Sequence, residues 1–181
     1  MELDDCIRGR RSTRAYKDDA VPKELIESVI EAGTWAPSGV NRQPWKFIVI
    51  EDKKIINFIS TETKKAVSAA MPSWSAQFKT DKDVICYNAP VLIFICTQTD
   101  ERWGEINLLD SVLAAENMFL KAYDLGLGSC YMGYVDFLAP DVLKKAGVPE
   151  GFELQVPLIL GYPKTKEGRG KRNKPDVVWI K

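Results

Sequence analysis

The chain has 181 residues, 45% hydrophobic and 28% charged, which fits a single soluble globular domain spanning residues 1–181. Lys plus Arg and Asp plus Glu each total 25, so no global field draws it to nucleic acid or an anionic membrane, and any anion site must be local. Histidine is absent, and the four cysteines Cys6, Cys86, Cys96 and Cys130 form no C-x-x-C pair. His-based nucleophilic catalysis is thereby excluded, no metal site is expected, and the thiols are expected to be free and mostly buried.

Residues 2–10 predict a short helix with Leu3, Cys6 and Ile7 on one face. Its acidic start lacks the apolar core of a secretion signal, and no apolar run is long enough to span a bilayer, so a cytoplasmic protein is expected. The segment Arg8 to Arg14 follows, with four arginines and two hydroxyls in seven positions. Guanidinium forks grip phosphate oxygens in bidentate fashion, and Ser12 adds a hydroxyl donor. A solvated charge run is the competing reading of the same residues. Pro22 suits the first turn of a second helix, Leu25, Ile26, Val29 and Ile30 recur at helical spacing, and Gly33 is expected to end it.

The loop 36–44 is rich in Pro, Ser, Gly and Asn. The side-chain amides of Asn41 and Gln43 each offer a donor and an acceptor, and they can read the pyrimidine edge of a flavin without adding charge. A turn that caps a helix and opens a strand accounts for the same residues. Residues 45–50 predict a strand, 53–70 a helix, and 71–80 a loop or lid containing Pro72, Trp74 and Phe78. The unbroken apolar run 90–97 predicts a strand buried on both faces. The longest helix is expected over 105–125. It is apolar nearly all round, so it should be buried on most sides, at the domain centre or in a subunit interface.

Glycines at 126, 128 and 133 let backbone approach a flat ligand, or simply cap a helix and enter a strand. Gly126-Leu127-Gly128 closes a helix instead of opening one, so it is no Rossmann fingerprint, and no P-loop occurs. A strand over 129–134, a helix over 139–146 and a last core strand over 154–161 complete the order of a layered sandwich. In the tail, Lys164, Lys166, Arg169, Lys171, Arg172 and Lys174 form either a second set of phosphate donors or a solvated loop.

Six segments in order resemble the nitroreductase superfamily of FMN enzymes, from about residue 4 to the C-terminus. They are Arg10-Arg11-Ser12-x-Arg14, Ala36-Pro37-Ser38-Gly39-x-Asn41-x-Gln43-Pro44-Trp45 and Asn88-Ala89-Pro90-Val91-Leu92-Ile93, then Ala114-Ala115-x-Asn117-Met118, Gly126-Leu127-Gly128-Ser129-Cys130 and Val156-Pro157-Leu158-Ile159-Leu160-Gly161-Tyr162-Pro163. The resemblance implies an α+β fold: a three-layer α/β/α sandwich whose mixed central sheet is flanked by helices. It implies an intertwined homodimer in which the strand-like end 177–180 joins the partner's sheet.

The resemblance also implies FMN at the dimer interface. Arg10, Arg11, Ser12 and Arg14 would approach its phosphate, ribityl chain and pyrimidine end. Pro37, Ser38, Gly39, Asn41 and Gln43 would come from the partner subunit, and the backbone at Met132 and Gly133 would face flavin N5. Lys171 and Arg172 resemble the family's basic tail ligands. Asn173 stands two residues before Pro175, where many members carry arginine, so Arg172 or Lys174 is expected to substitute. The implied activity is ping-pong hydride transfer from NAD(P)H through flavin N5 to an electron-poor small molecule such as a nitroaromatic or quinone, with no catalytic side chain required. Trp74 and Phe78 would stack on that substrate or pack the lid. The alternatives are reductive dehalogenation, enone reduction or flavin fragmentation on the same fold, or flavin binding without catalysis.

Overall fold

The computed structural model describes residues 1–165, 168 and 170–181. Six helices are found among them: α1 (Leu3–Gly9), α2 (Lys23–Thr34), α3 (Lys53–Ala70), α4 (Ser75–Phe78), α5 (Gly104–Asp124) and α6 (Pro140–Lys145). Four strands, β1 (Trp45–Ile50), β2 (Val91–Gln98), β3 (Gly128–Tyr131) and β4 (Phe152–Gly161), form one sheet in the order β1-β2-β4-β3.

The sheet is the middle of three layers because β2 and β4 are buried on both faces. Leu92, Phe94, Cys96 and Ile159 pack into one apolar cluster with Ile56, Ile59 and Val67 of α3. Val91, Ile93, Ile95, Leu158 and Leu160 pack into another with Val29 of α2 and Ala114, Ala115 and Met118 of α5. Side chains that alternate along a strand thus fill two cores, which is why the run 90–97 shows no polar face. The α+β sandwich expected from the sequence is the one observed. All four strands pair antiparallel, so the sheet is not the mixed one expected, and the one parallel contact, an isolated bridge from Ser12 to Ser129, lies outside the strands.

Local chemistry sets the helix ends. The Asp52 carboxylate accepts from the Lys54 amide at 2.7 Å and caps α3. Pro22 is the N-cap of α2, one position before its first turn, and α2 runs one residue past Gly33 to Thr34. Gly126, at φ +76°, ends α5: its amide reaches the Tyr123 carbonyl and the Leu127 amide reaches that of Ala122, a Schellman motif.

Three further expectations need correction. The strand expected to reach residue 134 stops at Tyr131, and Gly133–Phe137 form a 3-10 turn. Residues 71–80 are no plain loop, since a 3-10 turn at Pro72–Trp74 leads into the single helical turn α4. Helix α5 does not lie at the domain centre, and one subunit leaves one of its sides open. Leu108, Leu109, Val112 and Leu113 are 44–63% exposed, whereas the polar Asn107, Asp110 and Ser111 are buried. Residues 171–181 belong to no element and leave Val178, Trp179 and Ile180 at least 80% exposed.

Candidate functional site

After α1, residues 10–17 run as a strap along the edge strand β3 and the end of β4. The Thr13 amide donates to Ser129 O, the Lys17 amide to Tyr162 O and the Lys164 amide to Ala15 O, each at 2.9 Å. Tyr16, 1% exposed, pins the strap from beneath, and its hydroxyl donates to Thr13 O at 2.8 Å. Gly128 makes the approach possible. A Cβ there would lie 2.5 Å from Thr13 Oγ1 and 2.8 Å from Thr13 Cβ.

The strap distributes its arginines in different directions, as an extended chain must. Arg10 and Arg11 border a cleft of about 270 Å³ together with Thr13, Leu127, Gly128 and Ser129. Arg10 Nε lies 4.0 Å from Glu116 Oε1 on α5. Arg11 Nε donates to the Gly168 carbonyl at 2.9 Å, which ties the tail to the strap. Beyond it, Arg8, Arg11 and Arg172 surround a hollow of about 320 Å³ whose other lining residues are Ile7 and Gly170. No carboxylate lines it among the described residues. Arg8 does have an acidic neighbour, Asp4, at 3.1 Å on the exposed face of α1. The guanidinium groups of Arg11 and Arg172 come together at Gly170, where a Cβ would stand 3.9 Å from Arg11 Nε and 3.3 Å from Arg172 Nη1; like charges so placed repel one another, and an anion with several oxygens relieves that repulsion.

Arg14 is not part of this cluster. It borders a separate hollow with Lys82, Tyr87, Asn88 and Lys164. Tyr87 and Asn88 are both left-handed, at φ 53° and 55°. Asp83 holds that turn by accepting from the amides of Ile85, Cys86 and Asn88. Burial pushes the Tyr87 phenol above its ordinary pKa, and Arg14 opposes the shift. Ser12 is held by its bridge to Ser129. Lys171 is exposed and lines no part of the arginine hollow, and its carbonyl accepts from Arg172 at 3.1 Å. Lys166 and Arg169 lie outside the described residues.

The loop 37–43 is a second, separate constellation. Val40, Asn41 and Gln43 all have positive φ, at 47°, 56° and 50°. Ser38 Oγ accepts from the Gln43 amide at 2.9 Å, and Gln43 Nε2 donates to Asn41 Oδ1 at 3.2 Å. Pro37, Asn41 and Gln43 are exposed, while Ser38 and Gly39 are half-buried. The Gly39 amide donates to Asp110 Oδ1 at 3.1 Å. Arg42 carries no site signal of its own in the sequence, yet it fastens the loop to α5. The only hint is the pair Asn107 and Asp110, set among the apolar residues Ile106, Leu108, Leu109, Val112 and Leu113.

One subunit does not bring the two constellations together. The loop meets α5 at Trp103, Asn107 and Asp110, and the strap region meets it at Glu116 and Tyr123. At about 1.5 Å per residue, Asp110 stands ~9 Å from Glu116 and ~20 Å from Tyr123 along the helix. Among the described residues no hydrogen bond or ion pair links strap to loop.

The Met132 amide cannot serve as a free donor, because it is spent on Pro157 O at 3.1 Å, and its side chain is 4% exposed. Gly133 opens the 3-10 turn, so its amide has no partner within that turn and is the available donor of the pair. Tyr131, which sequence patterns do not single out, is half-exposed beside it and donates its hydroxyl to Asp136 at 3.0 Å. Phe78 is 7% exposed and packs edge-on against Tyr134, with centroids 5.3 Å apart, so it anchors the lid. Trp74 stays open at 41% exposure. The four cysteines are buried, and burial raises the Cys96 thiol pKa to about 12. No helix of the described residues is long and apolar enough to cross a membrane.

The model of the nitroreductase family matches residues 7–162. A protein of Methanothermobacter thermautotrophicus, described provisionally as an NADH dehydrogenase or NAD(P)H nitroreductase, is 27% identical over 99% of this chain and 87% of its own length. An iodotyrosine deiodinase of Thermotoga neapolitana is 26% identical over 94% of each chain. Among solved structures, a nitroreductase with bound FMN from Bacteroides fragilis superposes with a TM-score of 0.79 at 27% identity, covering 99% of this chain and 95% of that one.

Proposed function

The chain belongs to the nitroreductase family, and from that premise we propose that it is a cytoplasmic, FMN-dependent oxidoreductase that moves hydride from NAD(P)H to an electron-poor acceptor such as a nitroaromatic or quinone. The observation that carries this reading is a hollow lined by Arg8, Arg11 and Arg172 and, among the described residues, by no carboxylate. A phosphate monoester bears close to two negative charges and three acceptor oxygens, the complement that such a cluster lacks. When bound, FMN supplies a ring that accepts hydride from one partner and delivers it to the next. The protein's part is to bind and orient. Arg11 and Arg172 hold the phosphate end, the Gly133 amide donates toward the electron-rich edge of the ring, and the paired amides of Asn41 and Gln43 read its pyrimidine side. None of these roles needs an imidazole, in keeping with a chain without histidine.

The site is completed by a second copy of the chain. The exposed ridge Leu108, Leu109, Val112 and Leu113 of α5 is an apolar face without cover in one subunit. A two-fold axis crossing α5 runs the helices antiparallel, so the partner's loop 37–43 arrives beside the strap it cannot reach in its own subunit. The exposed residues Val177 to Ile180 then have a sheet edge on the partner to join.

A second reading, reductive removal of halogen from an aromatic substrate, is favoured by the deiodinase relative. The test is to load the protein with FMN, remove oxygen, add NADH or NADPH, and follow the flavin bands. The proposed function predicts bleaching by at least one donor and recovery on adding a quinone or nitroaromatic. Bleaching only by a strong chemical reductant, with recovery on a halogenated phenol, supports the second reading. No bleaching under either condition rejects both.

A further inference from the structure

We propose that Arg42 and Asp110 are positioning residues: they hold the 38–43 loop in a strained form that presents Asn41 and Gln43 to the flavin ring before the cofactor arrives. The inference rests on the proposed FMN site and adds how its amide-bearing wall is shaped.

The loop is costly as a free segment. Val40, Asn41 and Gln43 occupy the left-handed region, which non-glycine residues avoid and a β-branched valine avoids most. Such a backbone persists only where surrounding contacts over-determine it. Here the contacts converge on one carboxylate. Asp110, with a 6% exposed side chain, accepts from the Gly39 amide at 3.1 and 3.3 Å through its two oxygens. Arg42 Nη2 lies 3.7 Å from the same carboxylate and donates to Asn107 Oδ1 at 2.7 Å. The Arg42 guanidinium also stacks 4.1 Å from the centre of the Trp103 ring. Gly39 and Arg42 bracket Val40 and Asn41, so the two anchors fix both ends of the left-handed stretch. Ser38 Oγ then sets Gln43 through its amide.

Asp110 and Asn107 face this loop from the buried side of α5, while Leu109 and Val112 on neighbouring positions form the exposed ridge. A second copy seated on that ridge excludes water from the edge of the ion pair and strengthens it. The loop that the partner's site needs is therefore ordered by the contact that brings it there.

Arg42 acts on the ring-reading wall and not on the phosphate, and the ligands can tell the two apart. Dissociation constants for FMN and for riboflavin, which lacks the phosphate, are measured by quenching of flavin fluorescence on wild type, Arg42→Ala, Arg42→Lys and Asp110→Asn. Thermal midpoints and sedimentation are read on the same samples. Arg42→Ala should weaken FMN and riboflavin by the same factor, at least tenfold, in a protein that stays folded and dimeric. Arg42→Lys keeps the charge without the fork and should fall between. Val40→Gly added to Arg42→Ala should recover most of the loss, because glycine enters the left-handed region without strain. That rescue is not expected of an ion pair that merely stabilises the fold.

Folded variants that bind both ligands like wild type overturn the proposal. A loss confined to FMN also overturns it, since Arg42 would then grip the phosphate. If Asp110→Asn fails to fold, the Arg42 variants and the Val40→Gly rescue still decide. Wild type that binds neither flavin defeats the cofactor reading itself, a different outcome.

Discussion

Replacing Gly128 by alanine should dislodge the basic strap, and its neighbour Gly126 provides the control. A Cβ at 128 would stand 2.8 Å from both Cβ and Cγ2 of Thr13, and no Thr13 rotamer removes the Cβ contact. The strap must therefore move outward, which costs about 1–3 kcal/mol of overpacking. The Thr13–Ser129 hydrogen bond is stretched or lost as well, adding about 1 kcal/mol. The sum, roughly 2–4 kcal/mol, corresponds to a fall of roughly 4–16 °C in the thermal midpoint for a domain of this size. Because Arg10 and Arg11 ride on the strap, FMN affinity should fall at least tenfold, or about 1.4 kcal/mol. Gly126→Ala meets no atom within 4 Å and suffers only its positive φ, so it should cost about 1–2 kcal/mol and leave FMN binding intact. Differential scanning fluorimetry with and without FMN, on both variants at one protein concentration, reads the two effects. If Gly128→Ala matches Gly126→Ala in midpoint and in affinity, the strap is not held where β3 places it.

Leu109→Glu, on the exposed ridge of α5, should give monomers in sedimentation, because each dimer loses two apolar contacts worth about 1.5–3 kcal/mol apiece and would bury charge instead. A variant that sediments as a dimer with full FMN would move the interface elsewhere. Phe78→Ala should lower stability by about 3 kcal/mol through its core cavity, and Trp74→Ala by less than about 1 kcal/mol; equal thermal midpoints would contradict the division between anchor and open face. Burial raises the thiols of Cys96 and Cys86 and the Tyr16 phenol, with Cys96 reaching about 12. An unfolded thiol ionises at about 8.5 and an unfolded phenol at about 10, so stability is complete below the first and declines as pH rises toward 12, by up to about 1.4 kcal/mol per pH unit for each thiol above about 8.5 and for the phenol above about 10. Urea midpoints measured across that range should fall steadily, and Cys96→Ala should make the fall shallower; an unchanged slope would show that Cys96 ionises in the native protein.

Most of the architecture was legible in the sequence, because periodicity reports burial directly. The run 90–97 reads as a doubly buried strand because both cores draw on it, and residues 53–70 read as a helix to the residue because Asp52 caps it. Periodicity says nothing of which side of an apolar helix meets water. The exposed half of α5 therefore stayed hidden until α2 and the sheet were seen to take the other half. The arginine-rich strap was legible as a positive patch, but its division was not. Whether Arg14 joins Arg11 depends on register against β3, which only the Ser12–Ser129 bridge settles. Which amide of the Met132–Gly133 pair is free was not legible, because hydrogen bonding to Pro157 continues one residue beyond the strand. Arg42 was missed because its partners lie 65 and 68 positions away on α5.

The most direct measurement compares FMN with riboflavin on wild type and Arg11→Ala by equilibrium dialysis at fixed ionic strength. Charge-assisted hydrogen bonds contribute about 1.5–3 kcal/mol each, so wild type should favour FMN at least a hundredfold and Arg11→Ala should lose at least tenfold of that preference, with riboflavin unaffected. Equal affinity of wild type for both ligands, or an undiminished preference in Arg11→Ala, would contradict the placement of a phosphate among Arg8, Arg11 and Arg172.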